Sequence, residues 1–498
     1  MRQPPMRQPL YRTLALAGLV LLLVAPRQTA AAERAVTPAN ARPNILFCLA
    51  DDWGWPHAGA YGDKVVKTPT FDRIARQGDL FNHAYVAAPS CTASRGGILT
   101  GQAIHRLEEG ANLWSLLPGK FQVYPDLLEE SGYAVGCTRK GWGPGTLEGT
   151  GRTRNPAGPH FKNLQQFLKT VPQGKPFCFW FGSFDPHRPY VKDSGARSGM
   201  DPDEVAVPPW LPDTPTVRKD ILDYYFEVQR FDREVGEMLD LLQKAGKLDN
   251  TLVIVTGDNG IPFPRAKATL YDSGTRMCFA ACWKAKVKGG RVVDDFISFT
   301  DIAPTFLDAA GLKPPKEMTG RSFLDVLLSG RSGRIDPRRD KVFTERERHC
   351  LCRPGAKSYP IRALRTHEFL YIRNLRPELS PSGDVTTPNV VGAYGDVDGS
   401  PSKTEIITRR EEPAMAPFFR MAFNKRPAEE IYDVSKDPGQ VHNVAGKPGY
   451  AAAQKKLRAE LEGWMLQTAD PRAKGETDQW DEKCPYVGRR GKPKPKRK

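Results

Sequence analysis

Two carboxylate clusters stand at the ends of apolar runs: Asp51-Asp52 after Ile45–Ala50, and Asp258-Asn259 after Leu252–Gly257. Together they offer four side-chain oxygen donors, and a hard cation such as Ca2+ needs several clustered oxygens. The simpler reading of an isolated Asp-Asp is a cap for the next segment. Between the clusters lies Pro89-Ser90-Cys91-Thr92-Ala93-Ser94-Arg95-Gly96, a thiol with an arginine four residues on. If a helix starts near Ser94, the thiol sits at its N-terminus, where backbone N–H groups favour negative charge. Arg95 would lie on the same face as Cys91. That arrangement suits an anionic nucleophile or an anionic substrate. The same window also reads as a buried free cysteine beside a capping serine. His105 and His187, taken alone, read as structural or capping histidines.

These residues need elements to hold them. Pro43–Ala50 is a continuous apolar run, the pattern of a strand buried in a parallel sheet. Its carboxylates then fall at the strand's C-terminal end, where open α/β sheets bind ligands. The aromatic run Lys175–Gly182 ends near Asp185-Pro186-His187, and the β-branched run Thr251–Gly257 ends at Asp258. Ala134–Thr138 is a further strand, just ahead of Lys140. Thr68–Gly78 fits a capped helix closed by glycine. Tyr124–Tyr133 is a second helix, and Leu222–Leu242 has the apolar spacing of a long amphipathic one. Arg331–Arg339 reads as a basic linker. Beyond it come short strands at 361–365 and 369–373 and a helix at 451–466. The expected organisation is an α/β catalytic domain over 41–335 and a smaller α+β subdomain with an antiparallel sheet over 336–485. Pro377–Ser402 is a long loop near the site entrance.

Composition narrows the setting. The 498 residues carry a net charge of +16, and a basic surface concentrates polyanions such as nucleic acid, anionic membrane or sulfated glycan. Part of the excess lies in a basic tail, 486–498, expected to be disordered. Arg2, Arg7 and Arg12, an apolar run Leu14–Val24 and Ala30-Ala31-Ala32 read as a signal peptide over 1–32. The run is too short to span a bilayer. The chain is therefore expected to be exported to a periplasm, the extracellular space or a lysosome-like compartment, with no transmembrane anchor after cleavage. Export permits disulfides among the nine cysteines, though Cys48, Cys178 and Cys278 sit in apolar runs and read as core. No cysteine–histidine spacing argues for zinc.

The cysteine window resembles the Cys-x-Pro/Ala-x-Arg signature of the type I, formylglycine-dependent sulfatases. Asp51-Asp52-Trp53-Gly54, Thr68–Gly78, Arg230–Gly236, Asp258-Asn259-Gly260, Phe299–Leu307 and Glu430–Pro438 resemble that family's other motifs, in order. The resemblance implies an alkaline-phosphatase-like fold, a large mostly parallel sheet flanked by helices. It implies that a formylglycine-generating or maturase enzyme converts Cys91 to 3-oxoalanine (Cα-formylglycine). Ca2+ would be held by Asp51, Asp52, Asp258, Asn259 and the modified Cys91. Arg95 would stabilise the nucleophile, Lys140 and Lys267 would hold sulfate, with Arg265 a nearby rival for Lys267, and His187 would protonate the leaving group. His105 matches a histidine near the family's active site. The implied partner is a sulfated glycan, not nucleic acid.

Asn259-Gly-Ile-Pro-Phe-Pro264, Leu270-Tyr271 and Gly274-Thr275 resemble the heparan N-sulfatase branch, which implies desulfation of N-sulfoglucosamine. One position departs from the family. Trp142 stands where the family has a histidine that assists regeneration of the aldehyde, so either another base, with His105 the candidate, does that work or the chain is a divergent subclass. Three other readings remain: an O-sulfatase on another polysaccharide, a non-catalytic sulfated-glycan-binding protein, or a phosphonate or phosphodiester hydrolase of the same superfamily.

Overall fold

The computed structural model describes residues 42–385, 392–475 and 481. The signal peptide, the basic tail and Cys484 lie outside the described residues. Strand β1, Asn44–Ala50, is buried from its second residue onward. Successive side chains of a strand point to opposite faces, so a strand apolar throughout needs cover on both. Ile45, Phe47 and Leu49 face one core, and Leu46, Cys48 and Ala50 face the other.

The remaining strands of this sheet are β2 (Asp79–Tyr85), β3 (Ala134–Arg139), β4 (Phe177–Gly182), β5 (Thr251–Gly257), β6 (Phe279–Cys282) and β7 (Arg291–Ser298). Their order is β3-β4-β1-β5-β6-β2-β7. β6 runs antiparallel to both neighbours, and the other pairings are parallel. Helices α1 (Cys91–Thr100) and α3 (Ile302–Ala309) supply one covering core through Ile98, Leu99 and Phe306. Helix α2 (Pro215–Lys244) supplies the other through Leu222, Val228 and Phe231. α2 starts a full two turns before the apolar spacing shows it. Thr214 caps it, accepting the Val217 N–H, and Pro215 occupies its first turn, where proline's missing N–H costs nothing.

A second sheet is antiparallel: β8 (Lys341–Arg346), β9 (Ile361–Thr366), β10 (Phe369–Asn374) and β11 (Glu429–Asp433), in that order. Helix α5 (Ala451–Gln467), preceded in the chain by α4 (Pro401–Thr408), packs Leu457, Leu461 and Met465 on one face of it. The other face meets Leu270 and Tyr271 from the segment between β5 and β6. Both sheets belong to one compact unit. Among the described residues, no helix is long and apolar enough to cross a membrane, and the eight cysteines are buried free thiols rather than disulfides.

The end of β4 has no room for a side chain. Gly182 lies opposite Arg139 and accepts the Lys140 N–H at 2.9 Å. A Cβ on Gly182 would collide with the Lys140 carbonyl oxygen and approach the Trp180 indole. Gly182→Ala is therefore expected to cost about 1–3 kcal/mol of stability, read by urea unfolding, and to displace Lys140.

Candidate active site

The ends of β1 and β5 are stitched together. The Asp258 N–H donates to the Ala50 carbonyl at 3.0 Å, and the Asp52 N–H donates to Asp258 Oδ1 at 3.0 Å. Asp52 sits in the left-handed region, φ 74°, an uncommon conformation outside glycine that aspartate tolerates best. The turn sends Asp51, Asp52 and Asp258 into one buried space.

Helix α1 begins at Cys91 itself rather than near Ser94. Ser90 is its N-cap residue, but the Ser90 hydroxyl makes no capping bond and lies 2.8 Å from His349 Nδ1 instead. The Cys91 thiol donates to Asp51 Oδ1 at 3.4 Å. Burial, with Asp258 and Asp51 nearby and Lys140 opposing, pushes this thiol well above its ordinary pKa. The unmodified thiol is thus protonated at neutral pH. The anionic thiolate that the helix-start position alone suggested is not formed, because burial, with the neighbouring carboxylates adding to it, disfavours the charged form.

Three cations converge on the carboxylates. Arg95 Nε donates to Asp258 Oδ2 at 2.7 Å, and its Nη1 donates to the carbonyls of Lys140 and Gly141. Lys140 Nζ lies 2.6 Å from both Asp51 oxygens. Lys267 Nζ lies 2.8 Å from Asp52 Oδ2. His187 Nε2 approaches that same oxygen at 3.9 Å. Burial raises Asp51, but Lys140, His187 and Arg95 outweigh it and hold the carboxyl well below its usual range. At Asp52, burial dominates over Lys267 and His187 and the shift is upward.

The donor set fits a hard divalent cation. One ligand atom each of Asp51, Asp52, Cys91 and Asp258 lies within 4.8 Å of the others. Asn259 Nδ2 donates to Asp52 Oδ1 at 2.6 Å, while Asn259 Oδ1 is buried without a hydrogen-bond partner. An orphaned carbonyl oxygen beside clustered carboxylates is the chemistry that Ca2+ prefers.

Other candidates stand elsewhere. His105 is outside this cluster: its Nδ1 is 2.7 Å from Glu345 Oε2, its Nε2 is 3.2 Å from the Thr468 carbonyl, and its ring meets Trp464. With both nitrogens engaged there, it does not take the place left by Trp142. His105, Glu345 and Asp470 also group as possible metal ligands. Arg362 already fills that space, 2.6 Å from Asp470 and 3.5 Å from Glu345. Trp142 is buried in the apolar core, with Asn155 bonding both its N–H and its carbonyl at 2.9 Å. Arg265 stacks over Tyr271 at 3.9 Å and bonds the Gln440 carbonyl, so Lys267 is the cation of that segment that reaches the cluster.

Two residues at the site carried no signal in the sequence. Asp398 Oδ2 lies 3.0 Å from Lys267 Nζ, and His349 touches the residue before Cys91. Both arrive from the second half of the chain, Asp398 from 131 residues beyond Lys267 and His349 from 259 residues beyond Ser90.

A sulfatase family model matches residues 43–146 and 159–312, the stretch that builds the large sheet and every cation and carboxylate of the cluster around Cys91 except Asp398. The chain belongs to the sulfatase family. A second model, described as N-sulphoglucosamine sulphohydrolase, C-terminal, matches this sulfatase over residues 265–363. Human N-sulphoglucosamine sulphohydrolase is 30% identical over 484 residues, covering 87% of this chain and 92% of the relative. An ulvan-active sulfatase of Formosa agariphila is 27% identical, covering 86% and 81%. A structure solved with its substrate D-glucosamine-2-N,6-O-disulfate superposes with a TM-score of 0.63 at 20% identity, covering 89% of this chain and all of that one. The fold is the alkaline-phosphatase-like sulfatase fold, and the protein is a hydrolase of sulfate esters or sulfamates.

Two outcomes follow from this geometry. Arg95→Met leaves the Asp258 carboxylate buried and unpaired, so it is expected to lower unfolding free energy by about 3–5 kcal/mol in urea titrations. At His105, burial lowers the pKa but Glu345 outweighs it, so the folded value is raised. A raised histidine contributes stability that is fully present below the unfolded value, about 6.5, and is lost as pH rises through the folded one. The stability gap between the native chain and His105→Gln should therefore be widest below about pH 6.5 and narrow on the alkaline side. A gap that widens with pH would contradict the pairing.

Proposed function

We propose that this sulfatase removes sulfate from sulfated glycans through Cys91 oxidised to 3-oxoalanine, with Ca2+ in the acidic cluster, and that its substrate group is the N-sulfate of glucosamine. The observation carrying the reading is the convergence of Arg95, Lys140 and Lys267 on the buried space around Cys91 and the carboxylates. Such a concentration of fixed cations suits a tetrahedral oxyanion. Asp51, Asp52, Asp258, Asn259 and the modified Cys91 would hold the calcium, which supplies charge that favours an ionised hydroxyl. The hydrated 3-oxoalanine side chain supplies the attacking oxygen, and a formylglycine-generating or maturase enzyme would install it.

Each protein group then has a task. Lys140 and Lys267 neutralise sulfate oxygens and orient the sulfur toward position 91. Arg95 fixes the Asp258 carboxylate and adds positive charge beneath the nucleophile. In net reaction, a sugar sulfamate anion and water give the sugar ammonium and sulfate. The S–N electron pair stays on nitrogen, so nitrogen must gain protons as the bond breaks. His187, at the open side of the cluster, is the group placed to deliver one. General acids contribute ~10²–10⁴-fold, and an amide anion needs that help more than a phenolate does.

The N-sulfate reading is supported by the N-sulphoglucosamine sulphohydrolase match over residues 265–363 and by the 30% identical relative of that name. Hydrolysis of O-sulfate on another polysaccharide is the second reading, supported by the ulvan-active relative. The apolar run Leu14–Val24 after Arg2, Arg7 and Arg12 supports export. Within the single compact unit, we assign 41–335 as the catalytic part and 336–485 as the smaller subdomain.

Cys91→Ala should abolish sulfate release while leaving the thermal transition in place. Asp258→Ala should lose both stoichiometric divalent ion, by metal analysis, and activity. Sulfate release from N-sulfoglucosamine but not from 6-O-sulfated N-acetylglucosamine is the expected substrate pattern. Release from the ester alone would leave a sulfatase and remove the sulfamate assignment.

A further inference from the structure

The cluster opens on one side. Side-chain exposure is 37% for His187 and 27% for Asp398, against 12% for Lys140, 4% for Lys267 and 3% or less for Arg95, Asp51, Asp52 and Asp258. A sulfate seated among the cations must therefore carry its organic group out past His187 and Asp398. The two flank the same spot. Lys267 Nζ bridges Asp398 Oδ2 at 3.0 Å and Asp52 Oδ2 at 2.8 Å, and His187 Nε2 approaches that Asp52 oxygen.

A carboxylate is a costly neighbour for an arriving anion, since it repels sulfate and offsets part of the Lys267 charge. It is also firmly ionised. Burial raises Asp398, but Lys267 and His187 outweigh it and hold it well below the usual carboxylate range. Its position is built rather than incidental. Two residues earlier, Asp396 is buried against Arg346 and Arg353 and accepts the Cys350 N–H at 2.7 Å. Lys403 Nζ donates to the carbonyls of Tyr394 and Val397, and Ser400 caps helix α4. The loop is thus pinned on both sides of Asp398.

An ionised carboxylate only accepts hydrogen bonds. The bridging oxygen of a sulfate ester has no hydrogen to offer, whereas the nitrogen of a sulfamate carries one, and after S–N cleavage it becomes an ammonium. A carboxylate beside the departing atom is matched to nitrogen and mismatched to oxygen, which is selection by attraction and repulsion together. We propose that Asp398 is the specificity-determining residue of this site, accepting the N–H of a sugar sulfamate and pairing with the ammonium of the amino-sugar product. The proposal rests on the glycan-sulfatase reading above and deepens it.

Two measurements test it. In calorimetry at pH 6 on the unmodified Cys91 protein, the wild type should bind glucosamine at least about tenfold more tightly than N-acetylglucosamine, the scale of one charged hydrogen bond, and Asp398→Asn should erase that preference. With the matured enzyme, Asp398→Asn should lower kcat/KM on N-sulfoglucosamine on the order of 10- to 100-fold more than on 6-O-sulfated N-acetylglucosamine. Taking the ratio cancels any effect exerted through Lys267, which both substrates share. Asp398→Ser serves in both assays if a thermal scan shows the amide variant unfolded. Equal binding of the two sugars by the wild type, or equal losses on the two substrates, would overturn the role of Asp398. Absence of all turnover together with an intact, Asp398-dependent ammonium preference would strike the catalytic reading and leave this one standing.

Discussion

The site depends on pairing charge that has been taken out of water. Asp51, Asp52 and Asp258 are buried at adjacent strand ends, and an isolated ion so placed would cost several kcal/mol. Arg95, Lys140 and Lys267 offset that cost, each from a different part of the stretch that builds the large sheet. Arg95 comes from α1, Lys140 from the exit of β3, and Lys267 from the segment after β5. The sheet order therefore follows from the chemistry as much as from packing. β3, β4, β1 and β5 must be parallel neighbours for their C-terminal ends to deliver these groups to one place. Removing any one charge strands its partner, so the cluster stands or falls as a unit.

Much of this was legible because it is local. β1, β4 and β5 announce themselves as unbroken apolar runs, and the acids directly after Ala50 and Gly257 lie on one short turn beyond a strand. Cys91 and Arg95 share one helix, so four-residue spacing was enough to relate them. The departures were matters of what surrounds a group. Helix α1 starts three residues earlier than Ser94, with Ser90 at its N-cap position although the Ser90 hydroxyl is engaged by His349 rather than by the helix. His105 has an unremarkable window, and only the return of Glu345 and α5 in space shows that its ring is occupied.

Asp398 and His349 mark where sequence reasoning runs out. An aspartate in Gly395-Asp-Val-Asp-Gly399 looks like any polar loop residue. Its relation to Lys267 exists only after the antiparallel sheet docks on Leu270 and Tyr271 and carries the later loops back over the strand ends. Trp142 shows the converse. Its type was visible at once as a departure from the family, but its meaning depends on Asn155 and the core beneath α1, which turn the indole inward.

The burial of Cys91 also bears on the order of events in making the protein. Residue 91 is 2% exposed, and every residue of α1 around it is buried. An enzyme that modified this side chain would have to reach it, and a helix walled in by two strand ends and three ion pairs cannot be drawn out without dismantling the core. Any conversion of this thiol therefore competes with folding and has to finish first.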